Sequence, residues 1–394
     1  MKLAEKFINS TGATGATQLP QNLICFSHLR WDFVYQRPQH ILTRLSKSCQ
    51  VYFFEEPVFD VTSHSFLSIS NRSDNLNIVT PHLPSGLDKF EIIENQRNML
   101  DTFLKNKDMQ KFAFWYYTPM ALEFSKHLNP ALVVYDCMDE LSALKFAPPE
   151  LKDYEQLLFL KANVVFTGGY TLYEAKKDLH KNIYPFPSSI DRKHFSIARY
   201  NTSQPKDQLN IPEPRIGFFG VIDERFDIDL IKNLAELHPE WHIVLIGPII
   251  KVDPDTLPQN SNIHYLGQKH YQELPSYLSG WSVALIPFLL NESTRFISPT
   301  KTPEYLAAGI PVVSTPIKDV VRPYGENGMV HIGSTAEEFA ATISKELKSD
   351  KKEWLVQVDE FLKQNSWDLT CSAMIEKMEE VKSTPAKRIN IPLS

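Results

Sequence analysis

Short apolar runs alternate with helix-like segments along most of this chain, and this alternation restricts the fold more than any other feature. In the first half, the apolar runs predict strands at 23–27, 51–55, 112–117, 132–136 and 164–167. Helical segments lie between them, for example at 39–47, 119–127 and 150–162. Runs rich in Val, Ile and Phe that alternate with helices are typical of a parallel sheet covered on both faces.

A second series of the same kind follows a polar, proline-containing break at about 199–214. Its strands are predicted at 215–219, 241–246, 263–266, 283–287 and 311–314, and its helices at 227–237, 271–278 and 303–308. Further helices are predicted at 336–347, 352–363 and 367–381. A length of 394 residues also favours two domains.

We therefore predict an α/β protein with two doubly wound parallel-sheet halves that face a cleft. The predicted boundaries are a disordered leader at 1–20, a first domain at 21–200, a second domain at 212–366, and a final helix and tail at 367–394. We expect the last helix to cross back onto the first domain. Ligands of such sheets bind beyond the carboxyl ends of the strands.

Composition and charge exclude several classes of protein. A hydrophobic fraction of 43% and a charged fraction of 22% are typical of soluble globular proteins, and a net charge of −6 argues against a general nucleic-acid binder. A local basic patch that touches a membrane surface stays compatible with that charge. The four cysteines lack CxxC or Cys/His spacing, so we expect no disulfide framework and no zinc site. With no signal-peptide pattern and no run long enough to span a bilayer, we expect a cytoplasmic protein.

The stretch from Val283 to Thr315 carries the strongest local signal. A predicted strand and a polar loop precede Thr302-Pro303-Glu304, which is typical of a helix start with Thr302 as N-cap and Pro303 at the first helical position. Free N–H groups at a helix start favour anions. Lys301 offers a cation for phosphate and Glu304 a carboxylate for paired hydroxyls, which together suit a nucleotide sugar. The alternative is a well-capped helix without a ligand.

Other strand ends of the second half also carry small or charged residues. Gly220 ends the first strand of this half. Arg225 follows it and can donate two parallel hydrogen bonds to a diphosphate. Gly247-Pro248 and Leu266-Gly267 occupy the equivalent turns after the next two strands, where a base and ribose would lie. Asp227 and Asp229 have DxD spacing, but their place at a helix start favours interaction with the helix dipole, and we predict no metal.

Two strand ends of the first half offer candidates for the same cleft. The loop after the first strand contains His28, Arg30, Trp31 and Arg37; the alternative is an ordinary loop. The fourth strand ends in a group of carboxylates that could serve acid–base work or bind hydroxyls.

Within that group, the two aspartates have different expected roles. Asp136 is nearest the strand end and is the better candidate for the cleft. Asp139 is slightly more typical of a helix cap.

Three segments resemble GT-B glycosyltransferases. The segment 187–195 contains PSSID and HF and resembles the "NGVD…F" segment before their interdomain linker. The segment 303–313, PEYLAAGIPVV, resembles their donor-site helix and strand. The segment 30–40, RWDFVYQRPQH, resembles a bacterial family 1 or teichuronic-acid-type subgroup. The resemblance extends over 23–381.

This resemblance implies a role for each candidate residue. Glu304 matches the second acid of the E-x7-E motif, which binds the donor ribose, and Arg225 and Lys301 would stabilise the leaving diphosphate. The implied donor-binding residues are Gly220, Arg225, Gly247, Pro248, Leu266, Gly267, Ser298, Pro299, Thr300, Lys301, Thr302 and Glu304. The implied acceptor-binding residues are His28, Arg30, Trp31, Arg37 and Asp139. Retention at the anomeric carbon needs no enzyme base, whereas inversion would need one, for which Asp136 or His28 is the candidate.

The expected substrates are a nucleoside-diphosphate sugar, with UDP or GDP, and a polysaccharide or lipid-linked glycan, without a further cofactor. A lipid acceptor would bring the protein to the inner face of the membrane. One departure concerns the first acid of E-x7-E, because Phe296 stands at that position. A sugar-nucleotide 2-epimerase and a non-catalytic binding module of the same fold stay as alternatives. A dehydrogenase is disfavoured because no GxGxxG follows a strand.

Overall fold

The strands of the first half form one sheet, in which the predicted parallel pairing is present. The computed structural model describes residues 19–201 and 203–383. The strands of the first sheet are β1 (Asn22–Phe26), β2 (Gln50–Phe54), β3 (Val58–Val61), β4 (Phe66–Ser73), β5 (Leu76–Pro84), β6 (Phe112–Tyr116), β7 (Leu132–Cys137), β8 (Val164–Thr167) and β9 (Ile183–Pro185). Their order is β3-β5-β2-β1-β6-β7-β8-β9, with parallel neighbours, and β4 pairs antiparallel with β5.

Helices cover both faces of this sheet. They are α1 (Arg37–Leu45), α2 (Lys89–Leu104), α3 (Leu122–Ser125), α4 (Leu151–Lys161) and α5 (Tyr170–Lys176), followed by α6 (Arg192–Ser196) and α7 (Lys206–Leu209) near the linker. Two apolar clusters, one on each side of the sheet, form the core. The five strands that the sequence predicted are confirmed, whereas β3, β4, β5 and β9 were not predicted.

The second sheet is parallel throughout and corresponds to the second predicted series. Its strands are β10 (Arg215–Phe219), β11 (His242–Ile246), β12 (Ile263–Gly267), β13 (Val283–Ile286), β14 (Val312–Ser314) and β15 (His331–Ile332), in the order β12-β11-β10-β13-β14-β15. The accompanying helices are α8 (Ile228–Leu237), α9 (Leu274–Leu278), α10 (Lys301–Ala307), α11 (Lys318–Val320), α12 (Ala336–Glu346), α13 (Lys352–Leu362) and α14 (Trp367–Ser383). None of the helices in the described ranges is long and apolar enough to cross a membrane.

The last helix, α14, returns to the first domain, as predicted. Its apolar face, which includes Trp367 and Met374, is buried in the same cluster as Ile41 of α1. The Trp367 ring stacks on His40 with 4.7 Å between centroids. Burying large apolar side chains in this way stabilises the attachment by about 1.5–3 kcal/mol each. The predicted leader before residue 19 and the tail after residue 383 lie outside the described residues.

Candidate active site between the two domains

A cavity of about 820 Å³ lies between the carboxyl ends of the two sheets. The first domain contributes residues after β1, β7, β8 and β9, and the second domain contributes residues after β10, β11, β12 and β13 together with the start of α10. Parallel sheets present their loops at this edge, so the position of the cavity follows from the topology. The cleft predicted between the two halves is therefore present.

Lys301 enters the cavity from the first turn of α10. Its ammonium lies 5.5 Å from the ring centroid of Phe218 and 5.6 Å from that of Phe288. A Cβ at Gly220 would lie only 2.1 Å from Cε of Lys301, so a side chain at this position would displace the end of the lysine. Within the described ranges, the Lys301 ammonium makes no hydrogen bond or close ion pair. It is thus a partly buried cation that lines the cavity.

Glu304 lies one turn further along α10 and is only 5% exposed. Burial raises the pKa of its carboxyl group, and the charge of Lys301 opposes that rise. Burial lowers the pKa of the Lys301 ammonium, and Glu304 again opposes the change. Two buried groups with shifted pKa values in a cleft are typical of a functional site, because a ligand can supply the interactions that each charge lacks.

Arg225 is held on the same wall by a carboxylate that the sequence analysis did not select. Its Nε donates to both carboxylate oxygens of Asp223, at 3.0 and 3.1 Å, and its Nη2 donates to Oδ2 at 2.6 Å. This two-point pairing fixes the plane of the guanidinium. These hydrogen bonds to Asp223 do not involve the Nη1 group. Arg225 can therefore bind an anion through Nη1 while Asp223 orients the guanidinium.

Asp139 lies on the opposite wall and comes from the first domain. Burial raises the pKa of its carboxyl group, whereas the positive charges of Arg225, Arg37 and Lys301 lower it. The expected capping role is wrong, because the short turn Leu141–Ala143 follows Glu140 without a side-chain cap. Asp139 is instead a cavity carboxylate of the first domain that interacts with the positive charges of Arg225 and Lys301.

Asp136 does not reach the cavity, and this prediction was wrong. Its side chain is fully buried and pairs with Arg37, whose Nη2 donates to Oδ1 at 2.8 Å and whose Nε lies 3.1 and 3.2 Å from the two oxygens. Arg37 also donates from Nη1 to the carbonyl of Phe186 at 2.7 Å. Arg37 borders the cavity, but these contacts engage its guanidinium, so the pair joins α1, β7 and β9 rather than binding an acceptor.

Two other first-domain candidates also lie away from the cavity. His28 is not among the residues that line the cavity, and burial and the charge of Lys251 lower its pKa to about 4. Arg30 donates to the carbonyl groups of Glu56 and Pro57 and therefore attaches the loop after β1 to the segment after β2. Trp31, which was predicted from the loop after β1, does line the cavity.

Most of the predicted donor residues are brought together. Those that line the cavity are Gly220, Arg225, Gly247, Pro248, Ser298, Pro299, Thr300, Lys301 and Glu304. Those that do not are Leu266, Gly267 and Thr302. Thr302 is fully buried. The helix α10 begins at Lys301 with Thr300 at the N-cap position, so the prediction of Thr302 as N-cap was wrong. Gly267 ends β12, and the residues after it, 268–272, enter the cavity instead.

Tyr271 is the main cavity residue that the sequence analysis missed. Its ring stacks on Tyr35 of the first domain and on His194, with 4.4 Å between centroids in each case. Ser188, in the segment that contains PSSID, donates to the carbonyl of Ser298 at 2.9 Å. Aromatic residues and serines at these positions carry no local signal, because their contacts join segments far apart in the chain.

A buried carboxylate from the second domain caps a helix of the first domain. Oδ1 of Asp319 accepts hydrogen bonds from the backbone N–H of Thr171, at 2.9 Å, and from its hydroxyl group. The N-cap position of α5 is Gly169, which has no side chain of its own for this purpose. A Cβ at Gly169 would lie 2.1 Å from Oδ2 of Asp319. This close contact fixes the two walls of the cavity relative to each other.

Gly169→Ala should therefore loosen the contact between the domains. We expect a loss of about 1–3 kcal/mol in the free energy of unfolding, because the added methyl group must displace the Asp319 carboxylate. Urea denaturation measures the loss, and small-angle scattering should show a larger radius of gyration. Thr171→Ser keeps both donors and serves as the control. Equal stability and size for the two variants would contradict the contact.

Phe296 does not line this cavity. Its side chain packs against the apolar cluster of the first domain that contains Phe159. The side chain at the position of the expected acid therefore does not face the cations of the cavity. The carboxylates that line the cavity are Asp32, Asp139 and Glu304.

Two Rossmann-like domains that face a cleft, with a final helix that crosses back, define a protein of the GT-B fold. Solved structures with this arrangement include sucrose-phosphate synthase from Thermosynechococcus elongatus (TM-score 0.70, 13% identity, 92% of this chain and 99% of that chain). A second is the E. coli trehalose-6-phosphate structure with bound UDP-2-fluoro glucose (TM-score 0.68, 13% identity, 92% and 99%).

Sequence comparison narrows the class further. Residues 213–349, which lie in the second domain, match the family model of glycosyl transferases group 1. The provisionally named teichuronic acid biosynthesis glycosyltransferase TuaH of Bacillus subtilis (strain 168) is 24% identical over 226 residues. That match covers 52% of this chain and 56% of TuaH, about half of the length of each.

Proposed function

We propose that this protein transfers a hexosyl group from a nucleoside-diphosphate sugar to a polysaccharide or lipid-linked glycan. The observation that carries the proposal is the arrangement of Lys301, Arg225 and Glu304 on one wall of the cleft, opposite Asp139. We place the reaction in the cytoplasm, at the inner face of the membrane when the acceptor is lipid-linked. The proposed reaction retains the anomeric configuration and uses no metal.

The donor would bind along the second domain. Lys301 and the Nη1 group of Arg225 suit the two phosphates, because both residues are partly buried cations that line the cavity. Glu304 suits the ribose, since a buried carboxylate accepts hydrogen bonds from paired hydroxyls. The turns at Gly220 and Gly247 have positive φ values and pack backbone to backbone, which lets a ligand approach the main chain.

The chemistry needs little more than electrostatics and positioning. Cleavage of the sugar–diphosphate bond develops negative charge on the leaving phosphate, and Lys301 and Arg225 would stabilise that charge. Asp139 and Trp31 approach from the first domain, where the acceptor would lie. Closure of the two walls around the substrates would exclude the water that otherwise hydrolyses the donor.

Thermal-shift measurements with UDP, GDP, ADP, CMP and dTDP test the donor site. We expect one nucleotide to raise the melting temperature of the wild-type protein, because a ligand that binds the folded state stabilises it by mass action. Glu304→Ala should lose most of that shift while keeping its own fold, since the Glu304 carboxylate makes no hydrogen bond or close ion pair within residues 19–201 and 203–383. Glu326→Ala, an exposed glutamate outside the cavity, is the matched control. No shift with any nucleotide would refute the proposed function.

A further inference from the structure

A second cavity, of about 590 Å³, lies beside the first and is also formed by both domains. Glu140 and Phe296 line it, whereas their chain neighbours Asp139 and Ile297 line the first cavity. Consecutive Cα atoms are about 3.8 Å apart, so the two cavities adjoin each other at these two points of the chain. The loop between β13 and α10 thus contacts both cavities, with Phe296 in the second and Ile297 and Ser298 in the first.

The floor of this second cavity is a fixed cluster of charges. The Lys176 ammonium lies 2.8 Å from an oxygen of Glu140 and 2.8 Å from both oxygens of Glu155. The hydroxyl group of Tyr135 donates to Glu155 at 2.6 Å. Lys176 is 5% exposed and Glu155 is 9% exposed, so these positions are held by packing as well as by pairing. Such a network presents a rigid polar surface to a ligand.

The lining as a whole favours a neutral, hydroxyl-rich ligand. It contains three carboxylates and two ammonium groups, and Arg295 pairs with the carboxylate of Glu292 at 3.6 Å, so the charges nearly balance and leave no excess of positive charge to attract phosphates or other anions. Phe296, Phe159 and Leu179 provide apolar surface, and the exposed amide of Gln156 can both donate and accept hydrogen bonds. A sugar ring has an apolar C–H face and polar hydroxyl edges, which match these two kinds of surface.

We propose that the second cavity binds uncharged sugar units of the acceptor glycan at a distance from the reacting end. The inference rests on the proposed function, which supplies a glycan in the adjacent cavity. Phe296 then provides the apolar platform of this subsite, which gives a physical reason for an aromatic residue at a position turned away from the donor. An acceptor held at both cavities would be bound more tightly than one that reaches only the first.

Direct binding of neutral trisaccharides tests the subsite. The probes are maltotriose and N,N′,N″-triacetylchitotriose, with trigalacturonic acid as the anionic comparison, measured by saturation-transfer NMR. We expect at least one neutral trisaccharide to bind with a Kd of about 1 mM, and trigalacturonic acid not to bind. Phe296→Ala and Gln156→Ala should each weaken binding by roughly five- to tenfold, the range expected for a lost aromatic contact or hydrogen bond.

Two control variants separate this cavity from others. Phe90→Ala removes an exposed phenylalanine elsewhere in the first domain, and Glu304→Ala alters the donor cavity, so neither should change trisaccharide binding. Absence of binding by both neutral probes, or binding that is lost in Glu304→Ala and kept in Phe296→Ala and Gln156→Ala, would overturn the proposal. Nucleotide thermal shifts measured on the same samples report separately on the proposed function, because that readout does not involve the second cavity.

Discussion

Asp136→Asn should reduce the free energy of unfolding by about 3–5 kcal/mol, because it leaves the charge of Arg37 buried without its carboxylate. Both side chains are almost completely inaccessible, at 3% for Arg37 and 0% for Asp136. Removal of one partner of such a pair is far more damaging than removal of both. The pair also ties the start of α1 to the ends of β7 and β9, so its loss should affect the whole first domain.

Urea denaturation followed by tryptophan fluorescence measures this effect. The matched control is Asp32→Asn, which removes the partner of Arg72 in an exposed pair and should change the stability by less than about 0.5 kcal/mol. The double variant Arg37→Met with Asp136→Asn should recover much of the loss, since no buried charge remains. A loss below about 1 kcal/mol for Asp136→Asn alone would show that water reaches Arg37 and that the pair is not structural.

The fold could be predicted where the sequence carries a periodic apolar pattern. Most of the ten predicted strands are buried on both faces, so each appears as a short continuous apolar run, although β12 is only partly buried. The hairpin of β4 and β5 was missed because most of β4 is exposed and β5 alternates with polar residues and prolines. Such strands have a weak hydrophobic signal, and their pairing depends on neighbours in the sheet.

The second-domain wall of the site was predictable because its residues are local in sequence. Lys301 and Glu304 lie within one helical turn, and glycine turns follow consecutive strands. The first-domain wall was less predictable. Sequence position indicates that Asp136 and Asp139 both end β7, but the choice between them depends on Arg37, which is 99 residues away from Asp136.

Contacts between distant segments explain the other errors. Asp319 caps α5 across 148 residues, and Tyr271 stacks on Tyr35 of the other domain. Phe296 stands at a recognisable motif position, yet its direction is set by packing against the first domain. Residue type and spacing identify a candidate position, whereas tertiary packing determines which cavity the side chain faces.

Lys301→Met should lower kcat for glycosyl transfer by about 100- to 1,000-fold, or roughly 2.7–4 kcal/mol of transition-state stabilisation. The reason is that the lysine would meet charge that develops on the leaving phosphate only as the bond breaks. The stability of the protein should not fall, because the ammonium lacks a close partner in the described ranges and methionine replaces its apolar stem. Loss of activity without loss of stability is the result expected of a catalytic cation.

Initial rates with the nucleotide sugar that the thermal-shift screen selects would measure this effect. Lys269→Met is the matched control, because Lys269 lines the same cavity but its ammonium is bound to Asp207 at 2.7 Å. We expect that control to lose less than about tenfold. Gly220→Ala should resemble Lys301→Met, since its methyl group would occupy the space of the lysine Cε. If Lys301→Met kept more than about a tenth of the wild-type kcat, the leaving phosphate would have to be stabilised by Arg225 and backbone N–H groups instead.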